Sequence, residues 1–453
     1  MVSISSMVIR NWRQFQAAEI SLHPRLTIIT GSNGAGKSTI LNIVSQHFGY
    51  ARPFLGTPRR RKGGGVFWDA GYHGQRDWID DLEPRETERE EYSDERAYHF
   101  LRTAPPSILP PPVQQGAFVS IGSMVYSNGI SAEIGYHEQQ AQQYGISINN
   151  QQSVDGLNIT SHRSNSSYQP VKGFDFSSIN INQMFSSFYS EMMTRFNGGH
   201  TPFSPTYRMK EALISMAAFG EGNSYLESNQ DLLEAFTTFQ AILRKVLPAE
   251  IGFRGLKIRI PDIVISTASG DFLLDSSSGG INALFEISWQ LFLYSLNHDS
   301  FVVTMDEPEN HLHPALQRTI LSSLLSAFPQ AQFIVATHSP FIVSSVEDAS
   351  VYALRYVGDF QDQNSFRNQS RAVVSIKLDQ KDRSGTAGRI LREVLGVDST
   401  MPEWAQHKVN EIVENITGQN ISAELLERLR DQLTEIGFGE FYPQALSRLV
   451  RDQ

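Results

Sequence analysis

Gly31-Ser-Asn-Gly-Ala-Gly36-Lys37-Ser38 fits the spacing G-x-x-x-x-G-K-[ST], a pattern suited to holding phosphate. Glycines let backbone N–H groups turn inward around phosphate oxygens, and a helix N-terminus adds positive potential. In that pattern Lys37 reaches the β and γ oxygens of a nucleoside triphosphate such as ATP, and Ser38 ligates Mg²⁺. Asn33, Gly34, Ala35, Gly36 and Thr39 complete the cradle. The same letters also occur in a plain glycine turn, so context decides. Leu26-Thr-Ile-Ile-Thr30 is a β-branched run fit for a buried parallel strand, and Thr39–Val44 reads as a helix. Strand, loop and helix together favour nucleotide binding.

A second set of reactive residues lies far downstream. Phe301-Val-Val-Thr-Met305 is an apolar strand ending in Asp306-Glu307-Pro308. A carboxylate at the carboxyl end of a buried parallel strand can hold Mg²⁺, and the next one can polarise an attacking water. The bland alternative is a strand that ends in two solvated acids. Asp275-Ser-Ser-Ser-Gly-Gly280 opens a helix near Ile281, where the hydroxyls of Ser277 and Ser278 and the Gly279 amide suit a γ-phosphate. Alone, that segment is more often a simple cap. Phe333-Ile-Val-Ala-Thr-His338 ends a further strand in a histidine. A lone histidine is usually structural.

Several elements must position these groups. Ile121–Tyr126 and Ile130–Tyr136 flank Ser127-Asn128-Gly129, a strong hairpin cue. Gln139–Gln152 is rich in Gln and Asn and reads as a loop. Helical spacing dominates from Ile179 to Leu247, and strands return at Leu256–Ile260, Ile263–Thr267 and Val351–Leu354. Three amphipathic segments near the carboxyl end stop at or before Gly396, Gly418 and Gly437.

Composition narrows the classes. A chain of 453 residues predicts two or three domains, and 40% apolar content supplies a sizeable core. There is no cysteine, which excludes disulfides, iron–sulfur clusters and thiolate zinc, and fits a cytoplasmic setting. No apolar stretch is long enough to span a membrane, and the chain opens without a basic leader, so no membrane role is expected. The net charge of −10 argues against wholesale wrapping by nucleic acid. Arg59–Lys62 is a basic run, 77–95 an acidic one, and prolines cluster at 105–112, so 52–115 reads as a surface insertion.

The order of phosphate loop, Ser-Gly-Gly, Asp-Glu-Pro and strand-Thr-His resembles ABC-type ATPase heads, in the RecF/OLD-like (AAA_15/AAA_21) branch. Val8-Ile-Arg-Asn11-Trp12-Arg13-Gln-Phe15 looks like that branch's opening Asn-Phe-Arg-x-Phe. Asp306-Glu-Pro-Glu-Asn-His-Leu-His313-Pro314 looks like its Asp-Glu-Pro-Glu-x-x-Leu-His-Pro. The resemblance implies that Lys37 and Ser38 bind phosphate and Mg²⁺, Asp306 supports Mg²⁺, Glu307 positions water and His338 contacts the γ-phosphate. It also implies that Ser277, Ser278 and Gly279 close over ATP held by a second subunit, making a homo-oligomer with composite sites. Trp12 and Arg13 become candidate neighbours of the nucleotide, with core packing as the alternative for Trp12, and Gln169 is the candidate for a further metal-side glutamine. Ser276 and Ile281 depart from the usual serine-glycine signature.

The expected architecture is α/β: an ATPase head with an antiparallel β subdomain, an inserted helical lobe and a C-terminal helical region. The expected divisions are 1–171 with the insertion 52–115, a helical lobe at 172–250, the second half of the core at 251–356, and helices at 357–453. A zinc hook is excluded, no long coiled coil separates the halves, and no Toprim-like Asp-x-Asp follows His338. A head without its own effector fits anti-phage defence, in which such an ATPase controls a separately encoded nuclease, Toprim-like or other. The ATPase subunit of the PARIS system is nearest in size and domain content, with that of Septu next; a phage-encoded trigger protein is then implied. The alternative is a RecF-like repair clamp that binds duplex DNA.

Overall fold

The computed structural model describes residues 2–60, 66–71, 116–137, 142–161, 168–173, 180–357, 372–397, 401–416 and 422–451. The acidic run at 77–95, the prolines at 105–112, half of the basic run and most of the expected insertion lie outside these residues. The chain divides into two compact units, Met1–Ile390 and Leu391–Gln453.

The first unit is built on an eleven-stranded mixed sheet. Its strands in chain order are β1 (Ile4–Trp12), β2 (Phe15–Ser21), β3 (Leu26–Gly31), β4 (Phe118–Tyr126), β5 (Ser131–His137) and β6 (Ser147–Asn149), then β7 (Gly156–Ile159), β8 (Phe301–Asp306), β9 (Ala331–Ala336), β10 (Ser350–Val357) and β11 (Ala372–Lys377). Across the sheet they run β6-β5-β4-β1-β2-β11-β10-β3-β9-β8-β7. From β10 to β7 all neighbours are parallel. From β6 to β2 they are antiparallel. The fold is α/β with an antiparallel β layer, as expected.

The parallel half explains the apolar runs. Every residue of β3 and of β9 is buried, because parallel strands are covered on both faces. Threonine is tolerated there only with a partner, and Thr30 Oγ1 donates to the Thr337 carbonyl at 3.0 Å. Register then aligns the chemistry: Gly31 lies opposite Leu354, Ile29 opposite Ala336, and Ala336 opposite Asp306. Three parallel strands therefore deliver the phosphate loop, Asp306-Glu307 and Thr337-His338 to one edge.

The longer helices of this unit include α1 (Lys37–Ser45), α2 (Ile181–Phe196), α3 (Pro205–Gly220), α4 (Gln230–Val246) and α5 (Gly279–Ser295). Asn180, Ser204 and Asn229 cap α2, α3 and α4, and Pro205 occupies the first turn of α3. Helix α5 is apolar almost all round and buried throughout its length from Ile281 to Tyr294.

Two expectations need correction. The Gln/Asn-rich stretch contains short strands, Gln143–Tyr144 and β6, because each pairs with an existing edge. The range 357–453 is not helical throughout. Strand β11 lies between β2 and β10 and joins the two halves of the sheet. Its Val373, Val374 and Ile376 are β-branched residues suited to a strand.

The second unit holds helices Glu403–Ile416, Ala423–Glu435 and Tyr442–Arg451. Val409, Val413, Leu425, Leu429, Leu433 and Leu449 form its core, one stripe from each helix. The last helix was not expected from the sequence.

Candidate nucleotide-binding site

The phosphate loop follows β3 directly. Gly31 has φ +139° and passes so close to β10 that a Cβ there would lie 2.3 Å from the Leu354 carbonyl oxygen. Gly36 has φ +98°, and a Cβ there would meet Phe15 Cζ at 2.3 Å. Only glycine satisfies both demands. The turn ends in α1, whose first residues are Lys37 and Ser38.

Lys37 Nζ donates to the carbonyls of Gly31 and Ser32 at 3.0 and 3.1 Å, and lies 3.5 Å from His338 Nδ1. The ammonium is thus folded back along the rim of its own loop. Burial pushes it down to about 8, while Asp306, Glu307 and Glu309 act in the opposite sense. Ser38 Oγ donates to Asp306 Oδ2 at 2.9 Å. Burial raises the Asp306 carboxyl, and the Ser38 bond opposes that rise. His338 Nε2 is 3.8 Å from Glu307 Oε1, and burial, with Lys37 adding, lowers the imidazole below its ordinary value. Glu307 also accepts from Asn310 Nδ2 at 3.0 Å, and its backbone has φ +47°, a strained value for a non-glycine residue.

The structure therefore brings together Lys37, Ser38, Asp306, Glu307 and His338 from three strand ends. The fit to Mg²⁺ and phosphate rests on these atoms: a hydroxyl and a carboxylate oxygen already side by side, and an ammonium folded along a glycine loop. Ala35 is buried inside the loop, whereas Asn33 and Gly34 face outward. Thr39 lines a cleft of about 580 Å³ that opens beside Ser38 and Asp306.

Other candidates fall elsewhere. Both side-chain amide atoms of Gln169 are committed to the segment before α3: Oε1 accepts from the Ser204 amide at 3.0 Å and Nε2 donates to the Pro202 carbonyl at 3.5 Å. The structure does not bring it to Ser38 and Asp306. The cleft is lined instead by Asn158 of β7 and by Thr160 and Ser161 just beyond it. Parallel pairing of β7 with β8 is the reason, and a sequence pass has no signal for it. Trp12 is wholly buried, packed edge-on to Phe54 at 5.2 Å. The Arg13 guanidinium lies 5.8 Å from the Trp12 ring and 5.6 Å from Phe54. Gln14 is the residue that reaches the loop, donating to the Gly34 carbonyl at 3.3 Å. Ser278 caps α5, and a Cβ on Gly280 would come 2.9 Å from the His311 carbonyl. None of Ser277, Ser278 and Gly279 lines the cleft.

Glu309 escaped the sequence reading. Its Oε1 accepts from Thr337 Oγ1 at 2.6 Å, from the His338 amide at 3.0 Å and from the Ser339 amide at 3.1 Å. Burial raises this carboxyl, and the bonds from the Thr337 hydroxyl and the His338 amide oppose that. His311 and His313 make no metal site: among the described residues no three metal-ligating side chains cluster, and His313 Nδ1 accepts from the Ala315 amide at 3.3 Å. Among the same residues no helix is long and apolar enough to cross a membrane.

Comparison with known proteins agrees with the motif order. Residues 6–65 match a family described as an AAA domain, and residues 289–344 one described as "AAA domain, putative AbiEii toxin, Type IV TA system". The "Septu protein PtuA" of Bacillus thuringiensis is 26% identical over 39% of this chain and 45% of its own length. The "Retron Vc95 probable ATPase" of Vibrio cholerae is 42% identical over 11% of this chain and 10% of its own. The chain thus spans less than half the length of these relatives. The SMC head domain from Thermotoga maritima aligns over 83% of this chain and 99% of its own, at 14% identity and a TM-score of 0.39. Two segments of the chain match AAA-domain families, and the chain is similar to the Septu protein PtuA and to a retron probable ATPase.

Proposed function

We propose that this chain is a Mg²⁺-dependent ABC-type ATPase that serves as the sensing and regulatory subunit of an anti-phage defence system, controlling a separately encoded effector nuclease. The observation that carries the ATPase reading is the convergence of Lys37, Ser38, Asp306, Glu307 and His338 at one sheet edge. The defence role is supported by the names of the relatives, and the effector and the trigger are inferences from that likeness.

In this reading Ser38 and Asp306 hold Mg²⁺, which when bound neutralises charge on the β and γ phosphate oxygens. Lys37 leaves its carbonyl partners to meet the phosphates. Glu307 orients the attacking water and receives its proton at a carboxylate oxygen. His338, kept neutral by burial and by Lys37, donates or accepts one hydrogen bond at the γ end without adding a charge. Ser277, Ser278 and Gly279 would close over the nucleotide of a second copy, which makes hydrolysis depend on assembly.

The test is direct. Purified chain should hydrolyse ATP with Mg²⁺, stop on chelation, and lose nucleotide binding in Lys37→Ala. Native-expression pull-down then separates the roles: a co-purifying nuclease supports the defence reading, whereas duplex-DNA binding with no protein partner supports a repair clamp. An inactive chain that binds no ATP would remove both.

A further inference from the structure

Lys210, in the middle of α3, is wholly buried, yet nothing in the nucleotide chemistry uses it. Its ammonium donates to Asp262 Oδ1 at 2.8 Å, to Asp275 Oδ2 at 2.5 Å and to the Gln169 carbonyl at 2.9 Å. The Tyr168 ring lies 5.4 Å from Nζ, and its hydroxyl donates to Asp262 Oδ2 at 3.0 Å. All three donors of the ammonium therefore have an acceptor. Three ionisable groups out of water are costly even when paired, and an apolar cluster of like volume is often as stable. Packing alone does not explain this knot.

Its placement does. The two carboxylates are almost equally buried, with side-chain exposures of 8% for Asp262 and 5% for Asp275. They sit at different kinds of place. Asp262 begins a strand, Asp262–Thr267, of a separate three-stranded sheet. Asp275 lies inside the short 3-10 turn Leu274–Ser276, two residues before Ser277 and three before the Ser278 cap of α5. Ser277 Oγ is itself buried without a hydrogen-bond partner, while Ser276 Oγ donates to the Leu273 carbonyl at 2.9 Å and the Ser277 amide to the Leu274 carbonyl at 3.1 Å. Gln169 ties the same knot to the start of α3 through Ser204.

We infer that Lys210 is a positioning residue: its ion pair with Asp275 fixes the Ser277–Gly279 turn relative to α3, and thereby sets whether that turn can engage a nucleotide held by a second copy of this chain. This rests on the composite-site reading proposed above. Lys210 touches no nucleotide and acts only through Asp275. Asp262 accepts the second donor of the ammonium and does not touch the turn.

Asp275→Asn and Asp262→Asn, made in the full chain, separate positioning from plain stability. Each removes one equally buried charge beside the same ammonium, so both should lower the melting temperature by similar amounts. Asp275→Asn should keep fluorescent-ATP affinity and lose ATP-dependent association and turnover by about tenfold or more, a typical coupling between distinct sites. Asp262→Asn should keep all three. Asp275→Glu, which retains the charge and folds even where the amide does not, should show turnover between those two. Ser278→Arg is the control for the underlying reading: if it leaves association and turnover intact, composite sites themselves are wrong. If Ser278→Arg abolishes both while Asp275→Asn or Asp275→Glu behaves as wild type, or while both asparagine variants lose turnover equally, the role given to Lys210 is wrong.

Discussion

Glu309 accepts the backbone N–H of His338 at 3.0 Å, together with the hydroxyl of Thr337 and the amide of Ser339, and so fixes the peptide that carries the histidine. The two residues come from successive parallel strand ends. The carboxylate closes the loop after β9 onto the turn after β8, and the imidazole is thereby aimed between Lys37 and Glu307.

Glu309→Ala should leave the His338 amide without an acceptor, a loss of about 1–3 kcal/mol, while the Ser339 amide keeps Thr337 Oγ1 at 2.9 Å. Thermal unfolding should register that loss, and turnover should fall more than nucleotide affinity because His338 is released while Lys37 stays in place. Glu309→Gln retains an acceptor oxygen and is expected to be milder in both. Equal affinity, turnover and melting temperature in Glu309→Ala would contradict the positioning.

Glu307→Gln keeps the side-chain shape and the Asn310 contact geometry but removes the carboxylate that takes the proton. Turnover should drop by about 10²-fold or more, with ATP still bound. A steady-state assay beside an equilibrium binding measurement reads both quantities.

Nucleotide affinity should fall as pH rises through about 8, where burial has pushed the Lys37 ammonium. The sign follows from linkage. Bound phosphate favours the charged lysine, so above that pH binding must take up a proton, and each further unit costs affinity up to tenfold at most. Calorimetry at pH 8.5 in two buffers of different ionisation enthalpy should show proton uptake. Flat affinity of the unmodified chain from pH 7 to 9.5 counts against the assignment.

Lys37→Ala and Ser278→Arg chains, each inactive alone, should recover part of the activity when mixed, since one pairing restores an intact loop opposite an intact serine turn. Within one chain that turn packs against His311, and it does not line the cleft at Ser38. Full activity from a species shown to be monomeric by light scattering would rule out shared sites.

The chemistry was legible in the sequence wherever it is local. Gly31–Ser38 announces itself because the turn's φ values and the close approach to Leu354 and Phe15 admit only glycine. The apolar runs before Gly31, Asp306 and His338 are those of strands covered on both faces, and their parallel register follows from the fold class. The Asn-Gly hairpin and the capped helices are likewise set by residues a few positions apart. What tertiary structure alone decided is which distant residues share a site. Asn158, Thr160 and Ser161, and not Gln169, lie beside the metal-side groups because β7 pairs with β8; that neighbour relation leaves no mark in either segment. Gln14 reaches the loop in place of Arg13 because β2 packs Phe15 beneath Gly36. Glu309 reads as one acid among several until β8 and β9 are set side by side. Lys210 has no local pattern at all, since its partners are 52 and 65 residues away and its charge is tolerated only where both converge.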